Sequence, residues 1–235
     1  NRLLDQDVVV ASGYRALLKE VRPSVGHLCL YIGLKGTAEE LGLPKSQFWL
    51  YPHNDYDQAL VDFGSDSDAP FPSVYISFPS AKDPDYLVRH PGTATRVLVA
   101  PAPYGQFEKW KGTTWGKRGD DYEALKKDLS DRLLEHLYDK LPALRGKIDY
   151  TELSTPLSTE WFSAYQKGEL YGLDHTPERL QQDWLTPKTR IDGLWLTGQD
   201  ILTCGVTGAM RAGMLTTLAL VGMRKATPLM KKIYG

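Results

Sequence analysis

The chain has 235 residues, 42% of them hydrophobic and 24% charged, with a net charge of −1. That length suits one large domain or two smaller ones, each with a real core. The near-neutral balance and the lack of any dense Lys/Arg run exclude a sequence-general nucleic-acid binder.

From the amino end, Asp7 to Ser12 is a β-branched run closed by Gly13, and it predicts a buried strand. Tyr14 to Val21 follows as a short helix with Leu17 and Leu18 inward, stopped before Pro23. Gly26 to Leu34 alternates, with Leu28, Leu30, Ile32 and Leu34 on one face and His27, Cys29 and Tyr31 on the other. Period-two patterning of this kind makes a strand with one strongly apolar face. Gln47 to Tyr51, Ser73 to Phe78 and Thr95 to Ala100 read as further strands separated by turn-forming clusters, and Asp62 to Pro72 reads as an exposed loop. Strands in succession without intervening helices predict an antiparallel or mixed sheet.

Asp120 to Leu141 is the clearest helix. Tyr122, Leu125, Leu129, Leu133, Leu137 and Leu141 form one apolar stripe, acidic residues open it, and Pro142 stops it. Lys147 to Leu153 reads as a strand. Leu194 to Thr197 is a short apolar run that predicts another, closed by Gly198. A turn around Cys204 and Gly205 then leads into a helix from Val206 to about Lys225. The whole is an α/β fold in which the two chain ends form one portion around a sheet-rich α+β insert.

Cys29 and Cys204 make no disulfide framework, the five histidines are scattered, and no metal site is expected. The longest apolar stretch, Met214 to Met223, carries Thr216, Thr217 and Gly222 and falls far short of the roughly 20 residues of a spanning helix. The chain opens on Asn1 and shows no secretory or transit pattern, so it reads as the later part of a longer protein. Thirteen tyrosines and six tryptophans are enough to line an apolar pocket or to fill a core.

The informative stretch is Ile191 to Gly213, IDGLWLTGQDILTCGVTGAMRAG. A strand leads through a glycine turn to a helix start, whose unpaired N–H groups and partial positive charge suit an anion or a polarised carbonyl. Gly205 and Gly208 remove side chains where a ligand or another backbone comes close, and Asp200 can accept hydrogen bonds from sugar-like hydroxyls. A plain crossover packed by its glycines has the same spacing.

GLWLTGQDILTCGVTGA at Gly193 to Ala209 resembles the closing motif of the carotenoid and retinoid branch of FAD-dependent oxidoreductases. FPSAKDP (Phe78 to Pro84), GKRGDDYE (Gly116 to Glu123), LYGLDH (Leu170 to His175) and LKGTAEELGLP (Leu34 to Pro44) are similar to the retinol saturase family, in the expected order. The resemblance implies a carboxyl-terminal portion of such an enzyme: a Rossmann-like FAD-binding part from residues 1–22 and 186–235, and a substrate-binding domain from 23–185. It implies FAD as cofactor, held by Gly198, Gln199 and Asp200 along the ribityl and pyrophosphate region and by Gly205, Val206, Thr207, Gly208 and Ala209 at the flavin end. It allows NAD or NADP as electron source, an apolar polyene substrate such as all-trans-retinol, and peripheral membrane association at the endoplasmic reticulum.

A GxGxxG fingerprint, which binds the ADP half of FAD in such folds, is missing from the sequence, and an upstream segment is expected to supply it. Saturating an alkene needs a proton donor beside the hydride source, and Tyr171 and His175 are the candidates, although a turn at Tyr171-Gly172 and a surface cap at His175 are the plainer reading of those residues. Cys204 beside the helix start is either a flavin-adjacent thiol or a packed small residue. Arg179 and Arg211 are candidates for phosphate or carboxylate, or solvated surface charges. Two other readings stay open: a carotenoid isomerase or desaturase, and an apolar-ligand binding module without redox activity.

Overall fold

The computed structural model of the chain describes residues 4–234. Helices α1 (Gln6–Ala11) and α2 (Tyr14–Leu17) precede strands β1 (His27–Lys35) and β2 (Phe48–Leu50). Helix α3 (Tyr56–Ser65), β3 (Val74–Ser77), α4 (Pro79–Lys82), α5 (Tyr86–Arg89) and β4 (Thr93–Pro101) come next. Then follow α6 (Asp120–Lys140), β5 (Ile148–Ser154), α7 (Pro156–Ser163), α8 (Pro177–Leu180), α9 (Gly205–Val221) and α10 (Met223–Tyr234). The chain divides into two compact units, Asn1–Ser24 with Leu170–Gly235, and Val25–Glu169.

All five strands lie in the second unit, in one antiparallel sheet of order β2-β3-β4-β1-β5. Alternation decides its two faces. Leu28, Leu30, Ile32 and Leu34 of β1, Val74 and Ile76 of β3, and Leu98 of β4 are buried together with Leu129, Leu133 and Leu137 of α6. The stripe read from the sequence is thus the lid of this core. On the opposite face Tyr31 and Trp49 are exposed, the rings of Trp49 and Tyr75 lie 4.8 Å apart, and Val99 sits between Tyr75 and Cys29 in register. Arg96 is the exception within the core: fully buried, its guanidinium stacks 4.2 Å over the Phe78 ring, and burial pulls its pKa down to about 9.

The region 62–72 is only partly the expected loop. Helix α3 runs through Ser65, because Asp55 caps it by accepting from the Gln58 amide and Ala59 and Phe63 give it an inward face.

In the first unit two strand expectations fail. The run Asp7 to Ser12 is helix α1, not a strand. Only Val9 of its three valines is buried, and among the described residues no strand lies there to pair with; helical bonds satisfy its backbone instead, with Val9 N–H donating to Asp5 and Ser12 N–H to Val8. Leu194 to Thr197 makes one isolated bridge, Lys188 to Trp195, and joins no sheet. It is held extended by other means: Leu196 N–H donates to the Pro187 carbonyl, and the hydroxyls of Thr189 and Thr216 donate to the carbonyls of Leu194 and Leu196. The two runs therefore share no sheet. Residues 170–185, placed by the sequence in the insert, belong with the chain ends. Arg22 and Asp174 tie them there through an ion pair of 2.7 Å and a backbone bond of 2.8 Å. The last predicted helix is two helices, divided at Gly222, whose positive φ of 79° ends α9.

Candidate functional site

Every residue expected to hold the cofactor, and both proton-donor candidates, lie in the first unit. The segment Gly198 to Gly205 links the extended run to α9. Gly198 and Gly205 take left-handed φ values of 93° and 84°, which an L side chain adopts only under strain. Gln199 and Asp200 form a short 3-10 turn between them. The Gln199 side-chain oxygen accepts from the Gly205 N–H at 3.3 Å, satisfying one of the donors that a helix start leaves open. Val206 and Thr207 in the next positions are exposed, Val206 at 86%, so the first turn of α9 faces outward.

Gly208 does something else. A Cβ there would lie 2.0 Å from the Thr203 carbonyl oxygen. This glycine lets the chain fold back on its own backbone, and its side-chain absence serves packing, as Ala209, half-buried beside it, also does. Cys204 is the N-cap of α9 and makes no side-chain cap bond.

Asp200 is gripped from two sides. Its Oδ1 accepts the Leu173 N–H at 2.9 Å, and a Cβ on Gly172 would fall 2.2 Å from the same oxygen. The LYGLDH and LTGQD blocks, 27 residues apart, are thus in direct contact, and Gly172 is a site residue the sequence reading missed. Its signal was there in the glycine following Tyr171, but glycine in a turn has the same signature whatever lies against it.

Tyr171 and His175 sit on the same segment in different environments. Tyr171 is exposed, and its N–H donates to the Ser24 hydroxyl at 3.0 Å. His175 is half-buried; its N–H donates to Asp174 Oδ1, and its ring Nε2 is buried without a hydrogen-bond partner among the described residues. His175 is therefore no surface cap. Asp174 pairs with Arg22 at 2.7 Å. Arg179, weighed as a solvated charge, is 3% exposed. Its Nη2 donates to the carbonyls of Gln199 and Asp200, at 3.0 and 2.5 Å.

A cleft of about 290 Å³ opens beside Asp200, lined by Val9, Tyr14, Leu173, Trp184 and Leu196. Its lining is mostly apolar, with Ser12, Thr189, Thr197 and Asp200 as polar members, and the Tyr14 and Trp184 rings meet edge to face at 5.9 Å. No group of three or more His, Cys, Asp or Glu side chains that could hold a metal occurs among the described residues. No helix there is long and apolar enough to cross a membrane.

The arrangement offers a carboxylate fixed in direction, an outward helix start flanked by two left-handed glycines, and buried nitrogens without partners among the described residues. Those are acceptors for hydroxyls and donors for anionic or carbonyl oxygens.

No family model matches the chain. Among curated proteins it is 35% identical to human all-trans-retinol 13,14-reductase over 216 residues, 89% of this chain and 35% of that protein. It is 31% identical over 221 residues to a zebrafish protein named inactive all-trans-retinol 13,14-reductase, covering 91% of this chain and 36% of that one. It is 25% identical over 173 residues, 71% of this chain and 27% of the relative, to the chloroplastic prolycopene isomerase of Arabidopsis thaliana. The chain spans about a third of the length of the relatives it matches.

Proposed function

From its homology to all-trans-retinol 13,14-reductases over 89% of its length, we propose that this chain is part of a flavin-dependent oxidoreductase that saturates a polyene double bond of a retinoid. The observation that carries the reading is the joined pair of blocks, with Asp200 Oδ1 fixed by the Leu173 N–H above a glycine that leaves room for nothing else. Among the residues expected to hold FAD, those present fit it. Asp200 keeps Oδ2 for a ribityl hydroxyl, and the outward N–H groups at Val206 and Thr207 suit the flavin carbonyl region. Gly198, Gln199 and Gly205 shape that turn; Gly208 and Ala209 support it from behind. Once reduced by NADH or NADPH, FAD would supply the hydride, and the protein would orient the alkene and deliver the proton. His175, with a buried ring nitrogen open to a partner, suits proton donation better than the exposed Tyr171. NAD or NADP is the electron source in this reading.

The sheet unit is the substrate-binding part in this reading, and its outer face, with Trp49, Tyr75, Val99 and Tyr31 outside the core, offers an aromatic surface for an apolar ligand. Attachment to a bilayer surface belongs to the same reading. Helix α10 carries Arg224, Lys225, Lys231 and Lys232 around one arc and exposed Met223 and Leu229 on another, at about 100° per residue.

Product analysis tests the function. The full-length protein, reconstituted with FAD and a reductant, is expected to add two hydrogens to all-trans-retinol. Products of unchanged mass in altered geometry would instead support an isomerase, the reading favoured by the prolycopene isomerase relative. Retinol binding with no flavin retained would reduce the protein to a binding module.

A further inference from the structure

Arg179 is the most anomalous side chain of the first unit. It is 3% exposed, yet it makes no ion pair among those the structure shows; its Nε and Nη1 lack hydrogen-bond partners among the described residues. A guanidinium cannot shed its charge by deprotonating near neutral pH, so burying it without a carboxylate is costly. What it does contact is specific. Nη2 bridges two successive carbonyls, those of Gln199 and Asp200. Its own N–H is held by the Thr176 hydroxyl, which caps α8 and fixes where the arginine starts.

These two carbonyls belong to the turn that carries the Asp200 carboxylate. Between left-handed Gly198 and the irregular Leu202, with φ of −136° and ψ of −88°, that turn has little regular structure to hold it. The carboxylate is docked at one point, Oδ1 on the Leu173 N–H. Without the arginine, the Gln199 carbonyl keeps the Leu202 N–H at 3.2 Å, but the Asp200 carbonyl loses its donor, and the peptide that carries the carboxylate is held less firmly. We infer that Arg179 is a positioning residue for the cofactor site: it clamps the Gln199 and Asp200 peptides and thereby aims the Asp200 carboxylate. This rests on the reading that Asp200 faces FAD. It adds a residue that acts on the cofactor only through another, which distinguishes it from an arginine that binds phosphate itself.

Two measurements test the inference. The first needs no cofactor and uses this chain: amide hydrogen exchange at Leu173, whose N–H reports directly whether Asp200 is docked. Arg179→Lys is expected to speed Leu173 exchange about tenfold or more, while amides in the middle of α9 keep their rates. Arg179→Gln, which retains a donor at shorter reach, serves if the lysine variant does not fold. Unchanged exchange at Leu173 in a folded variant would overturn the proposal.

The second is a double-mutant cycle on FAD affinity in the full-length protein. Arg179→Lys and Asp200→Asn are each expected to weaken binding about tenfold, and the pair together no more than about twofold beyond either alone. Multiplied effects, near a hundredfold, would mean that Arg179 acts on the cofactor independently and would overturn the positioning role alone. Wild-type protein that takes up no FAD would overturn the flavin reading as well, an outcome seen before any variant is made.

Discussion

At Gly172 a left-handed backbone and a crowded neighbour coincide. Its φ is 70°, and any Cβ would strike the Asp200 carboxylate. Gly172→Ala therefore meets two penalties, backbone strain of about 1–3 kcal/mol and displacement of Asp200. The expected result is a lower melting temperature together with weaker FAD binding in the full-length protein. Gly42→Ala, also at positive φ but with open space around its Cβ position, should lower stability alone. Two histidines bring a pH dependence. Burial lowers the pKa of both His27 and His136 from the usual value near 6.5. Below that value the unfolded chain takes up protons that the folded chain resists, so their contribution is full at neutral pH and is lost as pH falls through and below 6.5. Urea unfolding at successive pH values should show this decline, and it should be shallower in a His27→Gln, His136→Gln variant. Asp200 was legible as a candidate from the sequence because a carboxylate after an apolar run and a glycine is a local pattern. Gly172 and Arg179 were not, since what gives them meaning is a contact 20 or more residues away.

Elements whose pattern is decided by one buried face were read correctly. The alternation of β1 and the leucine stripe of α6 each specify a period and a side, and core packing then enforces them. Leu133→Ala, at the fully buried centre of that stripe, should cost about 2–5 kcal/mol in chemical denaturation. The misread elements are those where β-branched or apolar composition had no partner strand to act on: Val8, Val9 and Val10 turn helical, and Leu194 to Thr197 stays a single extended pass. Strand propensity is a fit to a pleated neighbour, and without one the backbone satisfies itself locally. The outer sheet face invites a direct optical test. All-trans-retinol bound there should quench Trp49, exposed at 60%, and Trp49→Phe should remove most of the quenching while other tryptophans report little. Helix α10 should bind vesicles containing phosphatidylserine, with release at about 0.5 M salt and weaker binding after Lys231→Glu and Lys232→Glu.

For the molecule as a whole, the sequence contains no dinucleotide fingerprint, which the proposed function needs for the ADP half of FAD. This chain by itself is expected to retain little FAD after gel filtration, measured by absorbance near the flavin bands; a stoichiometric yellow protein would contradict that expectation. The two units also differ in how the chain builds them. The sheet unit is one continuous stretch, whereas the other is assembled from residues 1–24 and 170–235. Where the chain leaves the first unit and returns to it, the two passes run side by side, bridged at Pro23 with Leu173 and at Gly26 with Glu169. A stretch whose ends emerge as neighbours is a cassette. It can nucleate on its own contacts as soon as it leaves the ribosome, whereas residues 1–24 must wait for 170–235 before the partners they have within their own unit are made. The order of assembly is thereby written into the connectivity: the sheet is finished before the turn that carries Asp200 exists.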